Sequence, residues 1–458
     1  MRHVGDVIET DEDVRTAYSA DASGLVSVPQ AVARPTCAEE VVELLRHASA
    51  DNVPVTAAGM QSSTTGASIT DRGVLLSMRG MSRILDLDRS ARTMRVEPGA
   101  IVADVKRAAA SEGLLFAPDP TSENECSIGG AIACNASGAR TLRYGPTRPY
   151  VRALTVALAS GEVIDVRRPH LDKNTAGYAL AQDPVDWFVG SEGTLGVIVA
   201  AELDLLPLPE RVIGFEIPFA AEAAALAFIV AARASRAIAP RCLEYLDTRA
   251  TAIAQGADAS RQAIGGTMVY AEQEIENGSL DATLDTWLAL AEASDARVDE
   301  VRVFDTEQGL ALARHMRHAV PATMNERGAA QRARGGRKVS TDWAVPYPRL
   351  AEAIARAREI AERADIAQAV IYGHAGNGHP HQNFVAHDVE ELERIEHVVG
   401  ETLRMVIAIG GTVSAEHGIG KLKRRWLPLQ LTPTQLGVMR AVKRELDPAG
   451  LLAPGNIF

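Results

Sequence analysis

Apolar and polar positions follow two periods along this chain, and the switches between them mark its elements. Residues 1–25 are polar and rich in Ala, Asp and Ser, and predict a helical or irregular lead-in. Val26–Arg34 predicts a short strand. Thr36-Cys-Ala-Glu39 then reads as a capping box, with Val41, Val42, Leu44, Leu45 and Ala48 at helical spacing behind it. Val53–Ala57 is a second strand that stops at Gly59, so the chain opens on a strand–helix–strand unit. Strands at Val74–Met78, Ile84–Leu87 and Met94–Glu97 follow, then a helix over Ile101–Ser111 ended by Gly113. Val151–Ala159, the turn Ser160-Gly161 and the return Glu162–Val166 form a hairpin. A further long strand ends at Leu206-Pro-Leu-Pro209, where two prolines mark a domain boundary.

Beyond that boundary the pattern restarts. Strands are predicted at Gly214–Pro218, near Leu243, at Thr267–Ala271 and at Val298–Phe304, interleaved with helices Ala220–Ser235 and Leu280–Ala293. Helices Asp305–Val320 and Pro346–Ala364 flank a strand at Lys338–Val345, and strand Ile366–Tyr372 runs into a Gly/His-rich loop. Helices on an antiparallel sheet account for this order.

Composition narrows the function. A chain of 458 residues exceeds one ordinary core, so two or three domains are expected. A net charge of −12 argues against nucleic acid as a partner. Cys37, Cys126, Cys134 and Cys242 contain no Cys-x-x-Cys pair, which argues against an iron–sulfur cluster or zinc ribbon. The N-terminal residues lack an apolar h-region, and no apolar run reaches about 18 residues. The expectation is a cytoplasmic protein without a transmembrane segment, with peripheral attachment at the inner membrane left open.

Four stretches carry candidate chemistry. Pro118–Gly145 is rich in small residues: Gly129 and Gly130 let a ligand approach the backbone, while Thr121, Ser122, Ser127 and Asn135 offer hydrogen bonds to phosphate or ribose oxygens. The loop Gly59-Met-Gln-Ser-Ser-Thr-Thr-Gly66 supplies more hydroxyls, but neither stretch matches the Rossmann fingerprint or a P-loop. Gly373-His-Ala-Gly-Asn-Gly-His-Pro-His381 packs three histidines into nine residues. His374 and His381 lie seven apart, on opposite faces of a regular strand, unless Gly376, Gly378 and Pro380 break it. Neutral imidazoles so spaced suit Zn²⁺ or Mn²⁺, with His379 a rival ligand; the alternative is a Gly/His surface turn. In Ser414-Ala-Glu-His-Gly-Ile-Gly420, Glu416 is a candidate hard oxygen ligand for a His/His/Glu metal site, the alternative being an N-terminal capping carboxylate beside a surface histidine. His417 beside it is a candidate general base, since imidazole titrates near neutral pH. Arg317 and Lys338, in basic stretches of an acidic chain, are candidate carboxylate binders.

Taken together, the blocks Pro118–Arg148, Gly190-Ser-Glu-Gly-Thr-Leu-Gly-Val-Ile198, Gly373–His381 and Ser414–Gly420, with the tail Leu446–Phe458, resemble the vanillyl-alcohol oxidase / p-cresol methylhydroxylase superfamily of FAD-linked oxidases. Within it the chain is most similar to the FAD-dependent D-2-hydroxy-acid dehydrogenases, a branch that includes D-lactate and D-2-hydroxyglutarate dehydrogenases and the glycolate oxidase flavin subunit. The resemblance implies an α+β fold. A two-subdomain FAD-binding domain of the p-cresol methylhydroxylase type would span residues 1–209. An α+β cap with an antiparallel sheet would follow at 210–410, and a segment returning to the flavin at 411–458. It assigns FAD contacts to Gly59, Ser62, Ser63, Thr64, Gly66, Pro118, Ser122, Gly129, Gly130, Asn135, Gly138, Gly193 and Ile198. It assigns a divalent metal (Zn or Mn) to His374, His381 and Glu416, the catalytic base to His417, and the substrate carboxylate to Arg317 and Lys338.

The implied reaction oxidises a D-2-hydroxy acid to the 2-oxo acid by hydride transfer to flavin N5. The implied electron acceptor is external: a quinone, a cytochrome, an electron-transfer flavoprotein or O₂. The rival functions are an alcohol oxidase or alkyl-glycerone-phosphate-synthase-like enzyme of the same superfamily, or a flavin subunit relaying electrons in a larger complex. A homodimer is compatible with the sequence but not specified by it. Three positions depart from the family pattern. Gln61-Ser62 stands where covalent members place histidine, so FAD is expected to be non-covalent. Gly376-Asn-Gly-His-Pro-His381 replaces Gly-Asp-Gly-Asn-Leu-His, which removes a carboxylate that would orient a ligand. Ala453 replaces an asparagine common near the flavin ring.

Overall fold

The structure, a computed structural model, describes residues 4–256, 265–275, 279–366 and 369–458. Residues 1–3 of the predicted lead-in, and residues 367–368 of the predicted strand Ile366–Tyr372, lie outside them. The fold is α+β. The chain divides into one unit of Met1–Ser137, Gly145–Leu208 and Glu416–Phe458 and another of Gly138–Tyr144 and Pro209–Ala415.

In the first unit, strands Ala31–Ala33, Val74–Ser77 and Val55–Ala58 pair in parallel in that order, with Ile8–Glu9 antiparallel on the edge. The helix Ala38–Ala50 crosses between two of them and buries Val41, Leu44, Leu45 and Ala48 of the predicted stripe, while Val42 at its edge is half-buried. Its cap differs from the expectation. Cys37 occupies the cap position without a side-chain bond, and Glu40, not Glu39, reaches back to the Thr36 N–H at 2.8 Å. The helix starts one residue late, and the reciprocal carboxylate shifts with it. A separate antiparallel sheet orders Ile84–Asp88, Thr93–Val96, Val197–Asp204, Val151–Ala157 and Val163–Arg167. The C-terminal tail returns to the parallel sheet, where Leu452 bridges Val55.

The second unit is built on one seven-stranded antiparallel sheet. Its order is Arg302–Phe304, Val212–Phe219, Thr267–Glu274, Pro240–Leu246, Val370–His374, His379–Val385 and Lys338–Ser340. Alternation gives this sheet two unlike faces. Phe215, Ile217, Phe219, Val269, Leu243 and Ile371 share one face, buried against helices Glu222–Ala234, Leu280–Glu292 and Leu350–Arg363. There Phe215 stacks on Trp287 with ring centroids 4.8 Å apart, and Phe219 packs on Phe228 at 5.4 Å. The opposite face carries Glu216, Tyr270, Glu272, Glu244, Tyr372, His374, His379 and His381. Helices Thr248–Gly256 and Glu307–Ala329 lie along that polar side.

The predicted helix Asp305–Val320 runs on to Ala329, through Pro321. A proline inside a helix costs about 3 kcal/mol, because it has no N–H to donate and its ring crowds the preceding turn. Val320 and Met324 on either side of it carry the buried stripe across the proline, packing with Leu246, Met268 and Tyr372. Each such side chain stabilises by about 1.5–3 kcal/mol, so burial outweighs the proline. The predicted strand Lys338–Val345 is cut to Lys338–Ser340, because Asp342 leaves the ladder to bind Ser414 and Ala415.

Replacing Phe215 by Ala empties the centre of the apolar face. Unfolding by urea is expected to show a loss of about 3–5 kcal/mol; a loss below about 1 kcal/mol would contradict this account of the core.

Candidate active site

In the first unit, loops set close together gather the candidate cofactor residues. A Cβ on Gly59 would lie 2.3 Å from Ser127 Oγ, so only glycine lets the first loop touch the second. Ser127 caps the helix Ile128–Cys134, its Oγ accepting the Gly130 N–H at 3.4 Å. Gly129 packs on Pro98, where a Cβ would meet the ring at 2.7 Å. Asn135 ends the helix at φ 50, and its Oδ1 accepts the Arg148 N–H at 2.9 Å. Ser63 Oγ accepts the Thr65 N–H, Thr64 is exposed, Ser62 is half-buried, and Gly66 turns the loop at φ +77. Pro118 is buried ahead of Ser122, whose carbonyl accepts the Cys126 N–H. Ile198 is buried in the strand Val197–Asp204. Gly138 falls in the second unit, where its N–H donates to Thr141 Oγ1 at 3.0 Å.

These residues fit a long, phosphate-bearing cofactor. A Cβ on Gly130 would meet only Ser127 Oγ, at 3.3 Å. One on Gly193 would meet only the methyls of Ala453 and Ala57, at 3.8 and 4.0 Å. Both backbones therefore face space rather than protein backbone. Gln61 is turned away: its amide donates to the Tyr18 and Ser68 carbonyls and accepts from Arg79.

The loop 416–420 is held in the same unit by Glu192, a residue of the Gly190–Ile198 block to which no local pattern gives a role. Its carboxylate accepts the Ile419 and Gly420 N–H groups at 2.5 and 2.7 Å. Burial raises its pKa, and those two bonds work against the rise. A Cβ on Gly418 would lie 2.6 Å from that carboxylate. Ser137 Oγ donates to Glu416 Oε1 at 3.2 Å, and Thr65 Oγ1 donates to the His417 carbonyl at 3.5 Å. Lys421 Nζ bridges the Gly66 carbonyl and Asn456, and burial lowers its pKa to about 8.

In the second unit, the Gly/His loop is a hairpin. Strand Val370–His374 reverses through residues 375–378 into His379–Val385, pairing His374 with His379 and Tyr372 with His381. Reversal, rather than a broken strand, overcomes the odd spacing: all three imidazoles share one face. Their ring centroids lie 4.5–5.5 Å apart, each offers a nitrogen within 4.8 Å of the others, and all are buried. Gly378 makes the turn at φ +69, where a Cβ would lie 1.9 Å from the Val345 carbonyl oxygen.

Carboxylates stand behind these rings. His374 Nδ1 lies 2.7 Å from Glu244 Oε1, and Asp342 Oδ1 lies 3.1 Å from His379 Nε2. His381 Nδ1 is 3.4 Å from the Thr341 carbonyl. Three imidazoles backed by acceptors match the donor set of a divalent transition-metal ion. Glu244 also takes Arg317 Nη1 at 2.6 Å. Burial pushes the Glu244 carboxyl up, but His374 and Arg317 outweigh it and hold the group at about 2. The histidine loop lacks the Asp of the family pattern, and Glu244 and Asp342 stand beside its histidines. They lie 130 and 37 residues away from their histidines in sequence, and only strand pairing reveals them.

Arg317 therefore joins the imidazole cluster through Glu244. Lys338 lies on the same sheet face, but its Nζ donates to Asn325 Oδ1 at 2.7 Å. Asn325 is eight residues beyond Arg317 on its helix, about 12 Å at 1.5 Å per residue. Burial lowers the Lys338 pKa to about 8.

Removing Glu244 leaves two basic groups buried beside each other. Glu244→Ala is expected to cost about 3–5 kcal/mol in chemical denaturation; a cost under about 1 kcal/mol would contradict the ion-pair account.

Comparison with known proteins agrees with this architecture. Residues 29–167 match the model of an FAD binding domain, and residues 208–457 match that of the FAD linked oxidases, C-terminal domain. The chain is 32% identical to the glycolate oxidase subunit GlcD of Bacillus subtilis, over 97% of this chain and 92% of that one. It is 30% identical to a D-lactate dehydrogenase of Archaeoglobus fulgidus, over 96% and 95%. Among solved structures, alkyldihydroxyacetonephosphate synthase superposes with a TM-score of 0.74 at 18% identity, over 98% of this chain and 82% of that one. p-Cresol methylhydroxylase does so with 0.72 at 15%, over 99% and 94%. With a family model covering more than half of its length and relatives matched almost end to end, the chain belongs to the FAD-linked oxidases, shares its fold with p-cresol methylhydroxylase, and is an FAD-dependent oxidoreductase.

Proposed function

We propose that this protein is a dehydrogenase of small D-2-hydroxy acids, D-lactate-like in size, that produces the 2-oxo acid with help from a divalent metal ion. The observation that carries the reading is the buried cluster of His374, His379 and His381, backed by Glu244 and Asp342, in an FAD-linked oxidase. The names of the relatives support the substrate class, because glycolate and D-lactate are both small 2-hydroxy acids. The first unit is taken as the FAD domain, with the cofactor non-covalent since Gln61 is committed to Tyr18, Ser68 and Arg79. The second unit is taken as the substrate domain.

FAD, when bound, supplies the two-electron acceptor. A divalent ion, when bound, supplies Lewis acidity at the substrate hydroxyl. His374, His381 and Glu416 are the residues assigned to hold that ion. Glu416 follows directly on Ala415, whose N–H is bonded to the Asp342 carbonyl at 2.8 Å. His417 takes the hydroxyl proton as general base. Arg317, whose Nη1 is held by Glu244 and whose Nη2 lies 2.8 Å from His318 Nε2, brings positive charge for the substrate carboxylate, and Lys338 adds a point charge. Electrons leave to an external acceptor such as a quinone, a cytochrome or an electron-transfer flavoprotein. All four cysteines are free thiols, and burial pushes Cys126 to about 11 and Cys134 to about 12. Among the described residues, no helix is long and apolar enough to cross a membrane.

The deciding experiment is anaerobic flavin bleaching by a panel of D- and L-2-hydroxy acids, with and without chelator. Small D-acids are expected to bleach the flavin, and chelator to stop them. His417→Ala is expected to keep FAD while slowing reduction about 10²–10⁴-fold. Reduction at a near-normal rate would remove His417 from the base role. Lys338 is a cation below about pH 8 and loses its charge as pH rises through that value. The ratio kcat/KM is therefore expected to fall on the alkaline side with a midpoint near 8. Lys338→Met should lower kcat/KM about 10–100-fold at pH 7 and remove that limb. An unchanged profile in the variant would exclude Lys338 from carboxylate binding.

A further inference from the structure

We infer that the metal centre proposed above takes a third imidazole, from His379, and is for that reason selective for Zn²⁺-like ions over Mn²⁺. This rests on the reading of a metal centre under Proposed function and deepens it. The pattern of the family places asparagine where this chain has His379, so nothing in the resemblance assigns the residue.

The geometry assigns it in three ways. First, His379 is the cross-strand partner of His374 and lies two residues before His381 on the same strand, so register directs all three rings to one face. Second, its ring centroid lies 4.5 Å from that of His381 and 5.5 Å from that of His374, and the three offer nitrogens within 4.8 Å of one another. Nitrogens around one tetrahedral ion at about 2.0–2.1 Å stand roughly 3.3 Å apart, within reach of small rotations of the rings. Third, His379 has a carboxylate of its own. Asp342 Oδ1 lies within ion-pair distance of His379 Nε2, at 3.1 Å, while Glu244 hydrogen-bonds His374 Nδ1 at 2.7 Å. Asp342 is itself immobilised: its Oδ2 accepts from Ser414 Oγ at 2.7 Å and its carbonyl accepts from the Ala415 N–H at 2.8 Å. A carboxylate behind a ring orients it and strengthens it as a ligand.

The consequence is a change of metal. Two imidazoles and carboxylate oxygens accept Mn²⁺ readily, whereas a third imidazole moves the donor set toward Zn²⁺, Co²⁺ and Ni²⁺. His379 is a ligand in this assignment, and Asp342 is a positioning residue that acts through it.

The test uses the full chain with FAD bound, stripped of metal and titrated with Zn²⁺, Mn²⁺ and Co²⁺ alone. The wild type is expected to bind Zn²⁺ more than about 100-fold tighter than Mn²⁺. His379→Asn is expected to lose more than about 100-fold in Zn²⁺ affinity and to alter the visible Co²⁺ bands, while Asp342→Asn loses about 10–100-fold. Flavin content and circular dichroism identify a variant that has not folded, in which case His379→Gln, closer in size, is titrated in its place and its Zn²⁺ loss decides. Equal affinities in the wild type would overturn the inference. So would an unchanged Co²⁺ spectrum in a folded His379→Asn protein while His374→Asn loses metal; that result would leave the metal centre itself standing. If His374→Asn also keeps full affinity, the metal centre and this inference fall together.

Discussion

The pairing of His374 with His379 across the turn at residues 375–378 is the constraint on which the second unit depends. A slip of one residue would carry every side chain of the following strand to the other side of the sheet. That other side is occupied by Phe215, Phe219, Phe228 and Trp287, all fully buried. The imidazoles would then lie among aromatic rings, without Glu244 or Asp342. Gly378 protects the register, since any Cβ there collides with the Val345 carbonyl. The same alternation therefore builds the core on one face and the site on the other.

The polar face is an expensive way to build a sheet. Glu244, Glu272, Arg241 and His374 are all buried, and burying ions often costs as much as their pairing returns. Glu272 is met by Arg140 and Arg241, at 3.2 and 3.4 Å. Burial raises its pKa, yet Arg140 and Arg241 hold it at about 2. What such pairs provide is position. Glu244 holds a histidine with one oxygen and an arginine with the other, which fixes the separation of two groups that the proposed chemistry needs together. In the first unit Glu192 does comparable work on backbone, using a buried carboxylate to shape the loop that carries Glu416 and His417.

Much of the framework was legible because it rests on local rules. Val41, Leu44, Leu45 and Ala48 announced a buried helix face, and the strands of the first unit were bounded by glycine and proline. Local rules misled where a distant contact was stronger. Pro321 looked like a helix end, but the stripe Val320–Met324 has a buried surface to cover and carries the helix on. The strand expected to reach Val345 stops at Ser340, because Asp342 is drawn off by Ser414. The odd spacing of His374 and His381 looked unfavourable only for a strand that continues straight.

By itself, the sequence determined the α+β class, the FAD-linked oxidase family, and the loops that hold the candidate residues. Those properties reside in residue types and short spacings, which no long-range contact can alter. Only the tertiary structure decided which carboxylates stand beside the imidazoles and aligned the three histidines on one face. Glu244 meets His374 from 130 positions away, and Glu192 meets Gly420 from 228. Such partners carry no local pattern, because strand order and register create them, and both depend on the whole sheet at once.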